Sequence, residues 1–509
     1  MNIGQELGSS SQPIGGLFVW VTSHIHPYIG TRGCSGQALF IFSCLILFTC
    51  GVHAAQWAKT YGGIGDYANS VQLTADDGYI VAGVTQTGAV SVLRIDKSGN
   101  IIWQKTYSGT HGEAVASSVQ LTADGGYVVA GYTNSFSTGL YDAWLLKLDA
   151  EGNVIWQKGY GDAVDHIANS VQGTIDGGYI VAGTTNPFAS GVGHAWLVKL
   201  DAGGNVVWQK TYGGTRHDSA LSAKPTSDGG YIVAGETLSF GVQSVPGGIG
   251  DAWVFKLDAS GNVMWQKTFG GEGIDWANSV QPTADGGYIV AATTDLGSTP
   301  GNFLPWILKL DAAGNVIWQK TYGTGAGIAY SVLQATDGGY IVTGFLNLSI
   351  LILKLDAGGN VIWLRGYGDT NGGAQAYSTQ LTADDGYIVA GIKGVPLSIQ
   401  PWVLKLGNNG AINGCAEMTP LDATPSDTNA TVGNSSATGV AGDATPLSTT
   451  AVALNSTAMS QQQCYYDASS VVATEVPTLS GWIVILMSTL LGLSATATMR
   501  RDERHGSHI

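Results

Sequence analysis

Apolar runs of five to seven residues, rich in β-branched and aromatic side chains, recur along most of this chain. Each is cut off by a polar turn containing Gly, Asp or Asn. The unit that begins at Ala168 shows the alternation in full. Residues 168–172 form a short extended segment, and Asp176-Gly-Gly178 is a turn, where glycine takes positive φ at little cost. Tyr179–Thr185 is a strand, a loop of variable length follows, and residues 195–201 make a second apolar strand. Residues 202–205 turn the chain again, and Val206–Tyr212 is the last strand. One unit therefore predicts four antiparallel strands, A to D, joined by two tight hairpins and one looser connection.

The unit repeats. Residues 149–158, Asp-Ala-Glu-Gly-Asn-Val-Ile-Trp-Gln-Lys, return little changed at 201–210, 258–267 and 311–320, and more loosely at 96–105 and 356–365. The anchor tryptophans are Trp57, Trp103, Trp156, Trp208, Trp265, Trp318 and Trp363, spaced 45 to 57 residues apart. Such a period points to a propeller or a solenoid. The strand that opens Gly-Tyr occurs seven times, at Tyr79, Tyr127, Tyr179, Tyr231, Tyr288, Tyr340 and Tyr387. The D strand also occurs seven times, but out of phase: the Trp57 copy precedes any A strand, and the last repeat stops after residues 402–406. A chain that starts with strand D and ends after strand C can close a ring and leave no edge unpaired. The expected fold is all-β: a seven-bladed β-propeller of four-stranded antiparallel blades over residues 56–414. Residues 408–412 compete for the closing position. An aromatic at one place in every repeat predicts packing between neighbouring blades.

Composition narrows the function classes. Charged residues are 12% of the chain, Gly numbers 74 of 509, and the net charge is −15. No basic face is visible, which argues against a nucleic-acid partner. No glycine run precedes a helix carrying a lysine, so a phosphate loop is excluded. The repeats contain no cysteine: Cys34, Cys44 and Cys50 lie before them, Cys415 and Cys464 after. An oxidising compartment would allow a Cys415–Cys464 bridge, with two free thiols as the alternative.

Both ends read as addresses. Residues 39–52 are a compact apolar run, short for a membrane span and suited to a signal-peptide core, with small residues at Ala54 and Ala55 for cleavage. Residues 1–55 are thus an N-terminal extension and signal peptide. A misassigned start explains the long stretch before the apolar core, and a lipoprotein signal at Cys50 is the runner-up. Residues 415–475 form a Ser/Thr/Ala-rich low-complexity linker. Residues 483–499 are long and apolar enough for a transmembrane helix, with Trp482 at one interface and Arg500 and Arg501 at the other. That leaves 502–509 as a cytoplasmic tail and the repeats outside.

Residues 57–406 resemble secreted bacterial β-propeller repeat proteins, through the Asp-Gly-Gly-Tyr-Ile-Val-Ala-Gly and Trp-Leu-Val-Lys-Leu-Asp-Ala-Gly-Gly-Asn-Val segments. The unit also looks like the repeat of pyrroloquinoline-quinone dehydrogenases, although Asp149 to Trp156 is one residue tighter and the Thr before Gly is absent. Residues 476–501 are similar to the IPTL-CTERM class of sorting signals. Val476, Pro477, Thr478, Leu479 and Trp482 carry the match, followed by the apolar span and the Arg pair, with Val476 in place of Ile. The resemblance implies an exosortase-like sorting enzyme as a partner and a destination on the cell surface. A plain single-pass anchor is the alternative.

Two function classes compete. The first is a surface binding or structural module whose ligand is a surface polysaccharide or a protein, with no cofactor. The second is an enzyme with its site at the axial mouth. The A–B and C–D turns are nearly uniform between repeats, whereas the B–C and D–A connections vary, which marks the latter face as the one that meets a ligand. No nucleophile–base pair and no metal-spaced ligand set occurs there, so the expectation is a non-enzyme. Candidate binding residues on that face are Asp66, Glu113, Asp165, His166, His217, Asp218 and Asp275. Their convergence on one arc of the axial opening would suit a divalent cation. Otherwise the acids cap turns and the histidines sit in solvent.

Overall fold

The computed structural model describes residues 56–412, apart from 64–65, 110–111, 137–139, 188–191, 242–249, 272, 296–302, 369–372 and 395–398. It also describes seven short strands between 418 and 466. The signal-peptide reading, Cys415 and the sorting motif from Val476 to Arg501 lie outside the described residues.

Seven antiparallel sheets follow one another around a ring, each with four repeat strands that are consecutive in the chain in six of the seven. Blade 3 is representative. His166–Gly173, Tyr179–Thr185, Ala195–Leu200 and Val206–Tyr212 pair in that order, so the expected hairpins are all present. The B and C strands are buried along their whole length, as continuous apolar runs between two packed neighbours must be. In blade 7 the outer repeat strand comes from the other end of the chain: Gln56–Thr60 pairs with Gln400–Leu406, with Thr60 opposite Trp402. The ring is closed by its two ends. Residues 407–412 do not compete for that place. They make a turn of the C–D kind after the blade's C strand without leading into its D strand, and Ile412 is buried.

The anchor tryptophans weld each blade to the next. Trp57, Trp103 and Trp208 donate through Nε1 to Lys97, Ala150 and Ala259 carbonyls in the C–D turn of the following blade, at 3.0, 3.0 and 3.1 Å. Each ring lies against the glycine of that turn. Gly204 shows why glycine is required: its φ is +73°, and a Cβ there would sit 2.9 Å from the Trp156 ring. Four residues beyond the tryptophan, Tyr61, Tyr107, Tyr160, Tyr212, Tyr322 and Tyr367 donate to the same glycines' carbonyls at 2.6–2.8 Å. The aromatics are inter-blade packing, as the repeat suggested.

Near the axis the A strands have no inner neighbour, and each carries a β-bulge. The bulge turns a serine toward the next blade, where its hydroxyl accepts a backbone N–H. Ser70 receives Val119 N at 3.1 Å, Ser118 receives Val171 N at 3.3 Å, and Ser378 closes the circle onto Val71 at 3.2 Å.

Candidate functional site

The two faces of the ring differ in construction. On the uniform face the turn aspartate of each Asp-Gly-Gly (Asp-Asp-Gly in two repeats) grips a lysine or arginine from its own C strand. The pairs are Arg94–Asp76, Lys147–Asp124, Lys199–Asp176, Lys256–Asp228, Lys309–Asp285, Lys354–Asp337 and Lys405–Asp384. The cations are almost fully buried. Lys199 also donates to its neighbour's carbonyl, Leu200 O, at 2.9 Å. Hydrogen bonds from Lys199 and Thr174 hold the Asp176 carboxyl down to about 2. These acids are occupied by structure, seven times over.

The variable face carries a different set. In blades 3, 4 and 5 the residue two before the bulge alanine of the A strand lies against a residue at or just before the start of the C strand of the preceding blade. The backbone is already joined there: His166 N, Asp218 N and Asp275 N donate to Tyr141, Gly193 and Gly250 carbonyls across the seams, at 2.7, 2.9 and 2.7 Å. The side chains at three successive seams are then Asp142 with His166, His194 with Asp218, and Asp251 with Asp275.

Each seam solves its charge differently. Asp142 is buried, which pushes its carboxyl up, while His166 opposes the shift. His166 is itself buried. It donates through Nδ1 to Val164 O at 3.0 Å and stands edge-on to Trp196. Asp218 is fully buried and fully satisfied: it accepts from the Thr237 hydroxyl, Gly214 N at 2.8 Å and the Ser239 hydroxyl at 2.7 Å. His194 Nδ1 and Asp218 Oδ2 both lie against Gly213. Beside them His217 faces Glu236, with Nε2 4.0 Å from Oε1. Burial draws the His217 pKa down, with Asp218 pulling the other way, and burial followed by Asp218 raises Glu236. The third seam sets carboxyl beside carboxyl. Asp251 Oδ1 and Asp275 Oδ2 press on Gly270 together, Asp275 accepts from Gly271 N at 3.0 Å, and burial, then Asp251 and Asp295, push Asp275 up to about 7.

The remaining candidates tie neighbouring loops together. Asp66 accepts from Gly63 N and Gln86 N, both at 2.7 Å. Asp165 accepts from Tyr141 N at 2.7 Å, and Glu113 accepts from the Tyr141 hydroxyl at 3.1 Å. The hydrogen bonds of these candidates run within separate seams and between neighbouring loops. Among the described residues no group of three or more His, Cys, Asp or Glu is placed to hold a metal ion. The seams bring in Asp142, His194, Glu236, Asp251 and Asp295, which the candidate set lacked. A signal existed for three of them: Asp142, His194 and Asp251 all stand directly before Ala-Trp in their repeats.

Among solved structures, similar folds include a protein of unknown function from Dyadobacter fermentans, at 15% identity over 69% of this chain and 98% of that one, with a TM-score of 0.40. A protein from Lactobacillus plantarum matches at 12% identity over 68% and 99%, also at 0.40. Drosophila Plexin A, solved with Semaphorin 1b, matches at 8% over 67% and 88%, at 0.36. No curated protein sequence matches. The repeats themselves match a family described as outer membrane protein assembly factor BamB, twice, over residues 55–242 and 193–391. Those matches overlap and together take in blades 1 to 6 and part of blade 7, which is well over half of the sequence, so the chain belongs to that family.

Proposed function

We propose that this protein is an exported cell-envelope β-propeller that acts as a binding or structural module, held at the surface or sorted through its C-terminus, and not an enzyme. The observation that carries the reading is the contrast between faces. One face spends its charged groups on seven intra-blade ion pairs, whereas the other sets His194, His217, Asp218 and Glu236 at or beside strand ends whose loops differ from blade to blade. A regular scaffold that varies on one side presents that side to a ligand. The family supports an envelope address, and the apolar run at 39–52 with the motif at Val476–Pro477–Thr478–Leu479 supports export and sorting. On this reading an exosortase-like enzyme is a partner, and a Cys415–Cys464 bridge forms in the oxidising compartment. The ligand is a surface polysaccharide or a protein.

The test is a binding panel of the purified chain against matrix polysaccharides and envelope proteins, repeated with His217→Ala and Glu236→Gln. A ligand whose affinity falls about tenfold or more in both variants supports the reading. Binding that ignores both, with loss instead on Lys199→Met, would move the site to the other face.

A further inference from the structure

Each of the seven blades carries a fifth strand, and all seven come from the stretch between 418 and 466. Met418–Thr419 pairs with the D strand of blade 6, Pro425–Asp427 with that of blade 5, and Thr431–Asn434 with that of blade 4. Val440–Ala441, Thr445–Ser448 and Val452–Asn455 follow on blades 3, 2 and 1. Gln461–Tyr466 completes the circuit on blade 7. Every pairing is antiparallel, no blade is skipped, and the order runs strictly backwards around the ring.

We propose that residues 418–466 are a belt: the propeller's outer rim is a strand-accepting surface that this segment occupies in cis, and its last strand latches the ring where the first and last repeats meet. An unpaired outer strand is a template for pairing with another chain, and a propeller has one per blade. The low-complexity composition suits an occupant of such edges. Pairing at an edge uses backbone groups, so small polar side chains suffice and no apolar alternation is needed. Pro425 and Pro446 stand within two of the belt strands, and proline lacks the N–H that a further strand would require. The lengths are uneven in an informative way. Six belt strands have two to four residues, whereas the last has six. That longest strand lies on Gln56–Thr60, the one outer strand not tethered to its blade by a C–D turn, and it turns that strand from an edge into an interior one.

Hydrogen exchange on the full chain tests this. The amides of Thr431–Asn434 and Gln461–Tyr466 should exchange at least about 100-fold more slowly than an unstructured peptide. In a Gln462→Pro/Tyr465→Pro double variant, the amides of Gln56–Thr60 should exchange at least about tenfold faster, while those of Val206–Tyr212 keep their protection. Sedimentation of the full chain should show one species across concentration. Tail amides exchanging at unstructured rates would overturn the belt. A concentration-dependent dimer with a protected tail would overturn its placement in cis.

Discussion

Asp275 is a fully buried carboxyl. Its folded pKa of about 7 stands above the usual carboxyl value, so between about pH 4 and 7 the folded state holds a proton that the unfolded state has released. Stability from this group is full below the ordinary carboxyl pKa and declines as pH rises through 7. Asp275→Asn keeps an acceptor for Gly271 N and offers Asp251 a permanent donor. The variant should melt a few degrees above the parent at pH 8 and close to it at pH 5, by thermal unfolding at both values. At the opposite extreme, Gly204 has no freedom at all. Gly204→Ala meets both a positive φ and the Trp156 ring, and should cost about 2–4 kcal/mol in denaturant unfolding.

At the scale of the element, one turn does two jobs. The sequence shows Asp-Gly-Gly as turn chemistry, and it is that. It also holds the end of a buried lysine, a contact of 23 residues' separation for Lys199 and Asp176 that local pattern does not reveal. The clue was a Lys or Arg before the last apolar residue of every C strand. Because Asp176 and its counterparts at Asp124, Asp228 and Asp285 are held down to about 2, their contribution is present above the ordinary carboxyl pKa and lost as pH falls from about 4 toward 2. The aspartates are half-exposed, so each pair is worth little alone. Repeated around the ring, they should give a steep drop in melting temperature below pH 4, shallower in an Asp176→Asn/Asp228→Asn variant. The strands themselves were legible because their apolar runs are continuous. The belt strands were not, because edge pairing leaves no mark on side-chain pattern. The seam residues were half-legible: A-strand acids stood out, but their partners lie a blade away.

At the scale of the whole molecule, closure separates this ring from an open repeat array. An open array is held by neighbour contacts alone, so damage stays where it is made. A closed ring makes one further contact, between blades 7 and 1, and here that contact depends on a strand from the far end of the chain. Trp57 lies fully buried on that strand and donates into blade 1 through Lys97 O. Trp208 makes the equivalent bond into blade 4, but its strand stays tethered to its own blade by a short turn. Removing the buried Trp57 indole should cost roughly 3–5 kcal/mol, and the partly buried Trp208 indole less. The consequences should differ. After Trp208→Ala the short tether keeps the strand in place at high local concentration, and the loss should appear as a lower melting temperature with exchange spread across the ring. After Trp57→Ala the strand has no C–D turn to its own blade and is joined only through residues 61–66 to blade 1, so it frays from the edge of blade 7. Exchange should then rise first, and by about tenfold or more, in Gln56–Thr60 and Gln400–Leu406, with blades 3 to 5 still protected. Equal exchange patterns in the two variants would mean that the ring does not depend on its closing strand.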